Sequence, residues 1–555
     1  MKPSVLVLGS GPIRIGQGIE FDYSCVHCVW ALQQMGYRAI LINNNPETVS
    51  TDFDTGDALY FEPVTADDVV KVAQNEGVIG VVCQFGGQTA INLSEELERR
   101  GIPVLGTSPE AIAAAEDRDR FEALLTELDI PKPPGRAVRS LAEAQEVALE
   151  IGYPVLVRPS FVLGGRAMEI VYEPSQLEGL FAEAEAANPG QPVLVDRYLS
   201  GTEAEVDAIS DGLTALCPGL MEHVERAGVH SGDSMAVYPP QTISHKVQAQ
   251  MVDYAQRLAI ALKVKGMINV QFVLDGEQAY VIEVNPRASR TVPYLSKVTG
   301  IPMVQLATRT MMGVTLAELG YPGGLWCSSG KKPDGDPSPY SPRVSGKVVT
   351  GQEYGKGEIA QGHLVAVKAP VFSFQKLQRV EPSLGPEMKS TGEVLGVDST
   401  YEGALYKALI ASHVTFKPGK HVVLTLNDRD KERGVEVAKR LHDAGYSLAA
   451  TSGTHRALEL AGIPALRVHK IQEDSPSLLD LITSGEVSLM INTPDLARTS
   501  TQEAMRIRRA CIESGIVCLT NIDTAEALSR SIGYYDGTLQ ADCRPYHEYL
   551  VGAVS

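Results

Sequence analysis

Oxygen-bearing side chains and two arginines stand close together in a stretch of otherwise apolar residues. Glu283 and Asn285 alternate with valines, Arg287 and Arg290 follow, and Gln271 lies in the apolar run before them. Carboxylate and amide oxygens are ligands of hard cations such as Mg2+, which take further ligands from phosphate groups. Arginines hold small anions and neutralise charge that develops during phosphoryl transfer. Together these residues predict a magnesium nucleotide site, whereas any one alone is explained as well by a polar sheet face with surface ion pairs.

These residues share a site only if their two strands pair in the right register. Side chains alternate along a strand, so Glu283 and Asn285 lie on one face. A two-residue loop at 275–276 would place Gln271 on the opposite face. An odd-length loop, such as 275–277 with a bulge, brings all three side chains together and keeps the apolar rows in the core. We therefore predict the odd-length loop.

The composition excludes some classes of protein. A formal charge of -19 argues against a nucleic-acid partner, and no apolar run approaches the length of a membrane span. Met1 leads straight into an apolar strand, so we expect no signal peptide and a cytoplasmic protein. Eight cysteines in 555 residues are typical of reduced thiols. Cys25 and Cys28 fall in a predicted helix, 23–35, and are expected to be buried small residues rather than zinc ligands.

The first 115 residues predict a doubly wound parallel sheet. An apolar strand at 5–8, a glycine-rich loop at 9–18, a helix and a second strand at 39–42 form the first β-loop-α-β unit. The glycine spacing is not that of a dinucleotide fold. The second strand also ends in Asn43 rather than in an acidic residue that would hold a ribose, so NAD is not expected.

From about residue 116 to 315 the pattern changes to long strands, hairpins and glycine-rich turns. Arg158 ends one strand, and the loop 164–167 either folds over phosphates through its N–H groups or is an ordinary turn. Leu199 and Glu203 follow another strand and suit adenine packing and ribose hydrogen bonding. These features extend the predicted nucleotide site beyond the metal-type ligands.

Five separated blocks, in order, carry a resemblance to a known family. Residues 16–23, 45–51, 164–172, 228–234 and 283–287 resemble the carbamoyl-phosphate-forming unit of the carbamoyl phosphate synthetase large subunit, an ATP-grasp enzyme. Arg166 to Tyr172 indicates the second of the family's two homologous units. The resemblance implies an α/β chain of four domains. These are a preATP-grasp doubly wound domain at 1–115, an α+β ATP-grasp domain at 116–315, a small helical connecting or oligomerisation domain at 316–415 and a methylglyoxal-synthase-like α/β allosteric domain at 416–555.

The resemblance also implies a reaction, phosphorylation of carbamate by ATP with Mg2+ or Mn2+, which feeds pyrimidine and arginine synthesis. Gln271, Glu283 and Asn285 match metal positions, while Arg287 and Arg290 match a carbamate anchor. The nucleotide positions are Arg118, Arg158, Arg197, Leu199, Glu203, Gly228, Val229, His230 and Ser231, together with Gln271 and Glu283. Positioning and charge stabilisation dominate such a transfer, so no general base is assigned.

Only one set of these motifs occurs, and no glutaminase domain is visible. We therefore expect an amino-half synthetase unit and a glutaminase small subunit as partners, and an oligomer. Two other interpretations are a different ATP-grasp ligase, such as a biotin-carboxylase-like enzyme, and a regulatory subunit that binds nucleotides without turnover. The complete metal set argues against the second.

The region 316–415 contains a block, 384–394, that resembles the family's connecting domain. Residues 326–363 are longer than usual there and are interpreted as an inserted mobile surface loop. Glu225 and Asp233 match two acidic contacts of the activator ornithine. Ala369 stands where the third acidic residue is common, so the sequence leaves ornithine activation open.

The C-terminal domain resembles the family's binding domain for UMP or IMP. Phosphate and ribose contacts are implied for Lys431, Thr451, Thr454, Lys470, Asn492 and Thr493. A Thr-Ser-Gly-Thr turn offers hydroxyl and amide donors to an anion. Pro494 replaces a threonine donor that is often found, and proline cannot donate. A vestigial fold that binds nothing is the alternative.

Overall fold

The computed structural model describes residues 2–159, 168–333, 338–350, 353, 364–376, 380–417, 419–470, 477–494 and 498–551. The chain forms two compact units. The first comprises Met1–Glu222, Tyr238–His363 and Pro545–Ser555, and the second comprises His223–Val237 and Leu364–Arg544. Among the described residues, no helix is long and apolar enough to cross a membrane.

The first unit begins with a sheet of five parallel strands in the order β3-β2-β1-β4-β5. Its strands are β1 (Ser4–Leu8), β2 (Arg38–Ile42), β3 (Ala58–Tyr60), β4 (Gly80–Val82) and β5 (Val104–Leu105). All five residues of β1 are buried, which is typical of a parallel strand that helices cover on both faces. The predicted doubly wound sheet is confirmed.

Six helices lie within residues 19–127 of the described chain. They are α1 (Ile19–Gln34), α2 (Ala66–Glu76), α3 (Gly87–Ile91), α4 (Ser94–Arg99), α5 (Pro109–Glu116) and α6 (Arg118–Glu127), with a 3-10 turn at Val49–Thr51. Cys25 and Cys28 lie buried in α1, in agreement with the prediction. Asp117 caps α6 by accepting the Arg120 N–H, so α6 begins at Arg118.

A small antiparallel sheet follows, in the order β6-β9-β7-β8. Its elements are β6 (Gly135–Val138), α7 (Leu141–Ile151), β7 (Val155–Pro159), β8 (Glu169–Val171), α8 (Pro174–Ala187) and β9 (Val193–Arg197). Apolar side chains of α7 and α8 pack on one face of this sheet. The predicted phosphate loop, 164–167, lies outside the described residues.

The next strands along the chain are β10 (Thr202–Asp211), β11 (Ala215–Cys217), β12 (Leu220–Arg226), β13 (Ala236–Tyr238), β14 (Lys265–Asp275) and β15 (Gln278–Asn285). In the first unit, β11, β10, β14 and β15 are neighbours in that order, and each pair is antiparallel. Helix α9 (His245–Ala261) packs on their apolar face with Phe272 and Val270. Helices α10 (Val292–Thr299) and α11 (Met303–Met311) follow.

The region 316–415 differs from the helical domain that the sequence predicted. Its described residues form four strands and one helix: β16 (Gly324–Ser328), β17 (Gly346–Val349), β18 (Val365–Val371), β19 (Gly392–Asp398) and α12 (Tyr401–Ala411). Strands β16 and β17 pair with each other, and β16 pairs with β11, so these parts of 326–363 belong to a sheet and not to the predicted surface loop. These residues form strands because the apolar side chains of Leu325, Trp326, Cys327 and Val349 are buried there.

The second unit contains the β18–β19 hairpin, α12 and a five-stranded parallel sheet in the order β22-β21-β20-β23-β24. The remaining strands are β20 (His421–Thr425), β21 (Ser447–Thr451), β22 (Leu466–Val468), β23 (Val487–Asn492) and β24 (Val517–Leu519). The remaining helices are α13 (Lys431–Asp443), α14 (Ser452–Leu460), α15 (Leu478–Thr483), α16 (Arg498–Glu513), α17 (Ile522–Arg530), α18 (Ile532–Tyr535) and α19 (Tyr546–Val551). A 3-10 turn at Asp428–Asp430 precedes α13. Helix α19 belongs to the first unit.

Candidate functional site

The hairpin of β14 and β15 places the predicted metal ligands on one face. Gln271 lies directly opposite Glu283, and Asn269 lies directly opposite Asn285. Directly opposed residues of an antiparallel pair share a face of the sheet. The predicted grouping of Gln271, Glu283 and Asn285 is therefore confirmed.

The predicted odd-length loop is wrong. Asp275 pairs with Gln278, so the loop has two residues, and the register shift lies between Gln271 and Phe272 of β14. The extra residue is Ile282, which has no partner of its own and forms a bulge inside β15. Gly276 has a φ of 57°, which a two-residue type II′ turn requires at its first position.

A third strand extends this polar face, because β10 pairs with β14 along its whole length. Two rows of side chains cross the three strands, with Glu205, Gln271 and Glu283 in one and Asp207, Asn269 and Asn285 in the other. The β10 ends of both rows are buried, with Asp207 0% and Glu205 4% exposed, whereas Glu283 is exposed. The β15 end of the rows is therefore the end that is open to solvent.

Hydrogen bonds order the β15 end of these rows. Asn285 Nδ2 donates to Glu283 Oε1 at 2.9 Å, and Arg287 Nη2 donates to Asn285 Oδ1 at 3.2 Å. Arg287 Nε also donates to Gln88 Oε1 at 3.3 Å. Burial lowers the pKa of Arg287, and the nearby Glu283 carboxylate acts in the opposite direction. One arginine thus lies beside the amide and carboxylate oxygens that were predicted to bind the metal.

The donor set suits a cation that is shared with phosphate. No group of three His, Cys, Asp or Glu side chains among the described residues is arranged to hold a metal ion. Gln271, Glu283 and Asn285 offer one carboxylate and two amide oxygens, which is fewer hard ligands than a dedicated protein cage uses. These residues fit Mg2+ or Mn2+ where phosphate oxygens complete the coordination.

Asp207 connects the buried end of its row to the loop after β15. Its Oδ1 accepts from Asn269 Nδ2 at 3.1 Å, while Oδ2 accepts from Ser289 Oγ at 2.8 Å and Thr291 Oγ1 at 2.5 Å. Burial and the neighbouring Glu205 carboxyl raise the pKa of Asp207 to about 7, although the three hydrogen-bond donors act in the opposite direction. The two hydroxyl donors flank Arg290 in sequence.

Arg290 lies beside the glycine-rich loop of the parallel sheet. Its Nε donates to Glu20 Oε1 at 3.0 Å, and the Gly18 N–H donates to the same oxygen at 3.0 Å. Gln84, at the end of β4, accepts from Met267 N and donates to Lys265 O, both at 3.1 Å. Residues around the first sheet therefore contact Arg287, Arg290 and β14.

Two predicted phosphate-binding arginines share a carboxylate that sequence reasoning did not assign. Arg158 donates to Asp196 Oδ2 through Nη2 at 2.9 Å and Nε at 3.2 Å, and Arg118 Nη2 donates to Asp196 Oδ1 at 3.2 Å. Asp196 is 4% exposed. Arg118 also pairs with Glu122. The shared carboxylate brings Arg118 and Arg158 to one point on the β7–β9 sheet.

The predicted adenine and ribose residues follow β9. Arg197 is exposed at the end of this strand, on the face opposite Asp196, and its N–H donates to Pro134 O at 2.7 Å. Leu199 is 8% exposed, and Glu203 is half-buried on β10 opposite Val273. All of these residues belong to the first unit.

Gly228, Val229, His230 and Ser231 belong to the second unit. Gly228 has a φ of 102°, a conformation that side chains rarely adopt. His230 N donates to Gly385 O at 2.9 Å, and its Nδ1 accepts from Gly232 N at 3.0 Å. The loop is therefore built against residues of the block 384–394.

The residues that match an ornithine site are buried in the second unit. Glu225 accepts from Met235 N and from Thr524 Oγ1, both at 2.7 Å, and burial raises its pKa to about 7. Asp233 accepts from Lys389 N at 2.8 Å and Ser390 N at 2.9 Å. Both carboxyls already serve main-chain donors, and Ala369 is buried.

The predicted effector residues lie along one edge of the second unit's parallel sheet. Carboxyl ends of parallel strands meet at a common edge. Lys431 begins α13 after β20, Thr451 and Thr454 begin α14 after β21, Lys470 follows β22, and Asn492 and Thr493 end β23. Thr451 makes no side-chain hydrogen bond to the first turn of α14, so the first N–H groups of that helix are open to an anion.

Several effector residues also hold neighbouring loops. Thr454 Oγ1 accepts from Leu426 N, and Thr493 Oγ1 accepts from Asn427 N, both at 3.0 Å. Asn492 Oδ1 accepts from Arg508 Nη1 at 2.7 Å. Because the oxygen of Asn492 is engaged, its amide nitrogen is the group oriented as a donor.

Sequence reasoning missed Asp196, Asp207 and Arg508. Strand alternation along 202–211 places Asp207 on the same face as Glu205 and was available as a signal. Arg508 carried no such signal, because its helix has other arginines at 506 and 509 and only the fold shows that Arg508 is 1% exposed.

Comparisons with known families agree with this layout. Residues 1–114 match "Carbamoyl phosphate synthase preATP-grasp domain", residues 117–319 match "Carbamoyl-phosphate synthase L chain, ATP binding domain" and residues 433–520 match "MGS-like domain". The three matches follow each other along the chain in that order.

Two solved structures are similar in fold. The biotin carboxylase domain dimer of 2-oxoglutarate carboxylase from Hydrogenobacter thermophilus, in complex with MgADP, ADP and bicarbonate, is 18% identical with a TM-score of 0.52, and the match covers 74% of this chain and 90% of that one. The biotin carboxylase domain of a single-chain bacterial carboxylase is 16% identical with a TM-score of 0.50, covering 74% and 88%. At these identities the likeness shows the fold alone.

Proposed function

The chain has the architecture of the C-terminal half of a carbamoyl phosphate synthase large subunit, an ATP-grasp ligase type with an MGS-like domain, and from this we propose that it phosphorylates carbamate. A carbamate oxygen attacks the γ-phosphorus of ATP, the bond from that phosphorus to the β,γ-bridging oxygen breaks, and the products are carbamoyl phosphate and ADP. The observation that carries the proposal is the register that sets Gln271 opposite Glu283, beside Asn285 and Arg287.

Gln271, Glu283 and Asn285 would hold Mg2+ or Mn2+, which when bound neutralises charge on the transferred phosphoryl group. Arg287 and Arg290 would bind the carbamate and the developing charge at the acceptor end. Their present partners, the Gln88 amide and the Glu20 carboxylate, keep the two guanidinium groups oriented. Such a site acts by positioning and electrostatics, and it needs no covalent intermediate.

The nucleotide end would be formed by Arg118 and Arg158 at the phosphates, with Leu199 against the adenine and Glu203 at the ribose. The predicted set also includes Arg197 and the loop Gly228–Ser231, which belongs to the second unit. The pairing of Arg118 and Arg158 through Asp196 supports a common role for them, because their guanidinium groups converge on one carboxylate.

Carbamate is labile in water, so we further propose that a partner delivers it. The expected partners are an amino-half synthetase unit and a glutaminase subunit, and the pathways served would be pyrimidine and arginine synthesis. At the second unit's sheet edge we propose UMP or IMP binding, with the N terminus of α14 and Lys431 as the phosphate contacts.

The reverse half-reaction tests the main proposal without a carbamate supply. Purified chain with MgADP and carbamoyl phosphate is expected to form ATP, measured by coupled NADPH production. Glu283→Ala is expected to abolish ATP formation, whereas Asp275→Ala, which removes an exposed carboxylate from the same hairpin, is expected to retain it. A folded chain that binds ADP but forms no ATP would contradict the proposal.

A further inference from the structure

A single buried carboxyl, that of Asp207, ties the acceptor loop to the sheet that carries the metal-type ligands. Its Oδ2 accepts from both Ser289 Oγ and Thr291 Oγ1, at 2.8 and 2.5 Å, and the two hydroxyls lie 2.8 Å from each other. Thr291 N donates to Ser289 Oγ at 3.1 Å. Ser289 is 7% exposed and Thr291 3% exposed, so water does not substitute readily for these bonds.

The same carboxyl reaches the metal-ligand face through its other oxygen. Asp207 Oδ1 accepts from Asn269 Nδ2 at 3.1 Å, and Asn269 lies directly opposite Asn285 on β15. Asn269 Nδ2 also donates to Glu205 Oε2 at 3.1 Å. One side chain therefore fixes both the strand row that ends at Asn285 and the loop that follows it.

Arg287 and Arg290, the arginines proposed to bind carbamate, lie in the segment 285–291 that these hydrogen bonds hold. Arg290 is the residue between Ser289 and Thr291, and its side chain leaves in another direction to meet Glu20. Arg287 N donates to Asn285 O at 2.8 Å, which closes the turn at the other end of the loop. With both neighbours of Arg290 held by one carboxylate oxygen, the backbone at Arg290 has little freedom.

We propose that Asp207 is a positioning residue for phosphoryl transfer, which acts by holding the segment 287–291 so that Arg287 and Arg290 face the acceptor. This inference rests on the proposed function of the site. Asp207 is fully buried at the far end of its row from the exposed Glu283, so it would act through the loop that it holds. Its contribution is to fix the distance between the acceptor arginines and the phosphoryl group, and misplacement of about 1 Å at such a site costs on the order of 100-fold in rate.

The chain offers a matched control on the same strand. Asp211 lies four residues from Asp207 on β10 and therefore on the same face. It is 9% exposed, and among the described residues its carboxylate accepts hydrogen bonds only from main-chain N–H groups, those of Leu213, Thr214 and Leu316. Loss of Asp211 removes a buried carboxyl from the same sheet without releasing the acceptor loop.

The test compares Asp207→Ala with Asp211→Ala in the full chain by ATP formation from MgADP and carbamoyl phosphate. For Asp207→Ala we expect kcat to fall about 10- to 100-fold and KM for carbamoyl phosphate to rise, while the Kd for ADP, measured by calorimetry, stays within about twofold. For Asp211→Ala we expect a lower melting temperature but wild-type kcat and KM. Equal losses of activity in the two variants would overturn the proposal, and so would unchanged kinetics in Asp207→Ala.

Milder variants keep the inference testable if Asp207→Ala does not fold. Ser289→Ala and Thr291→Val each remove one donor, and together they should reproduce the kinetic loss of Asp207→Ala. In a chain that already carries Asp207→Ala, the same two substitutions should cause no further loss of kcat. A further loss of kcat in that chain would show that the two hydroxyls do not act through their hydrogen bonds to Asp207.

Hydrogen exchange separates this inference from the proposed reaction. Amides of 287–291 should exchange faster in Asp207→Ala than in Asp211→Ala, whether or not the wild type makes ATP. A wild type without ATP formation but with this exchange difference would refute only the reaction, whereas equal exchange would refute the positioning role.

Discussion

The pH dependence of the second unit's stability should depend on one buried glutamate, and Glu225→Gln tests this. Glu225 is 2% exposed and accepts from Met235 N and Thr524 Oγ1. A glutamine preserves both contacts, because its amide oxygen accepts from the Met235 N–H and its nitrogen donates to the Thr524 hydroxyl. The substitution therefore removes the charge and little else.

The sign and size of the effect follow from the pKa of Glu225. Burial raises this pKa from 4.5 to about 7 in the folded chain. The folded state then binds the proton more tightly than the unfolded state, so stability is full below pH 4.5 and falls as pH rises to about 7. Each pH unit between the two values is worth about 1.36 kcal/mol, which gives a loss of about 3 kcal/mol above pH 7. Glu225→Gln should not show this loss.

Calorimetric unfolding of wild type and variant between pH 5 and 8 measures the difference. The variant should melt about 1 to 3 °C above the wild type near pH 5 and about 6 to 12 °C above it at pH 8, in the transition of the second unit. Glu387→Gln, an exposed glutamate of the same unit, should show no pH-dependent difference. A difference that stays constant across this pH range, or a variant that is less stable at pH 8, would refute the reasoning.

Three further predictions follow from the packing. Arg508→Met leaves the half-buried Glu381 and the buried Asn492 without their donor and should destabilise the second unit by about 3 kcal/mol or more, whereas Arg506→Met, at an exposed position of the same helix, should change unfolding by less than about 0.5 kcal/mol. Gly276→Ala forces a side chain into a positive φ and should cost about 1 kcal/mol, measured by urea unfolding. Gly179→Ala adds a methyl group in open space within helix α8 and should stabilise the chain by up to about 1 kcal/mol in the same measurement.

The layout of the first unit could be predicted because its signals are local. Complete burial of β1 follows from its apolar run, and the common face of Glu283 and Asn285 follows from strand alternation. That Gln271 shares this face was also predictable, since a register shifted by one residue would expose the row that contains Phe272. The place of the unpaired residue was not predictable, because a longer loop and a bulge at Ile282 give the same faces.

The division between the two units could not be read from the chain. Residues 223–237 lie within a sequence block that resembles the ATP-grasp domain, yet they belong to the second unit. The contacts that place them there are distant in sequence, such as Arg226 with Asp523 and Asp233 with Lys389. Such contacts leave no periodic pattern in the sequence. From the sequence, a charged residue at these positions is as readily interpreted as exposed to solvent as paired with a distant residue.

Within the second unit, the segment 381–385 connects the Gly228–Ser231 loop to the parallel sheet. His230 N donates to Gly385 O, and Leu384 N donates to Thr520 Oγ1 at the end of β24. Glu381 pairs with Arg508, whose Nη1 donates to Asn492 Oδ1. Asn492 lies at the sheet edge predicted for the effector, so this series of hydrogen bonds and ion pairs connects that edge to the segment that supports His230. Every residue in this series belongs to the second unit, so the Gly228–Ser231 loop and the predicted effector edge are joined within one compact unit.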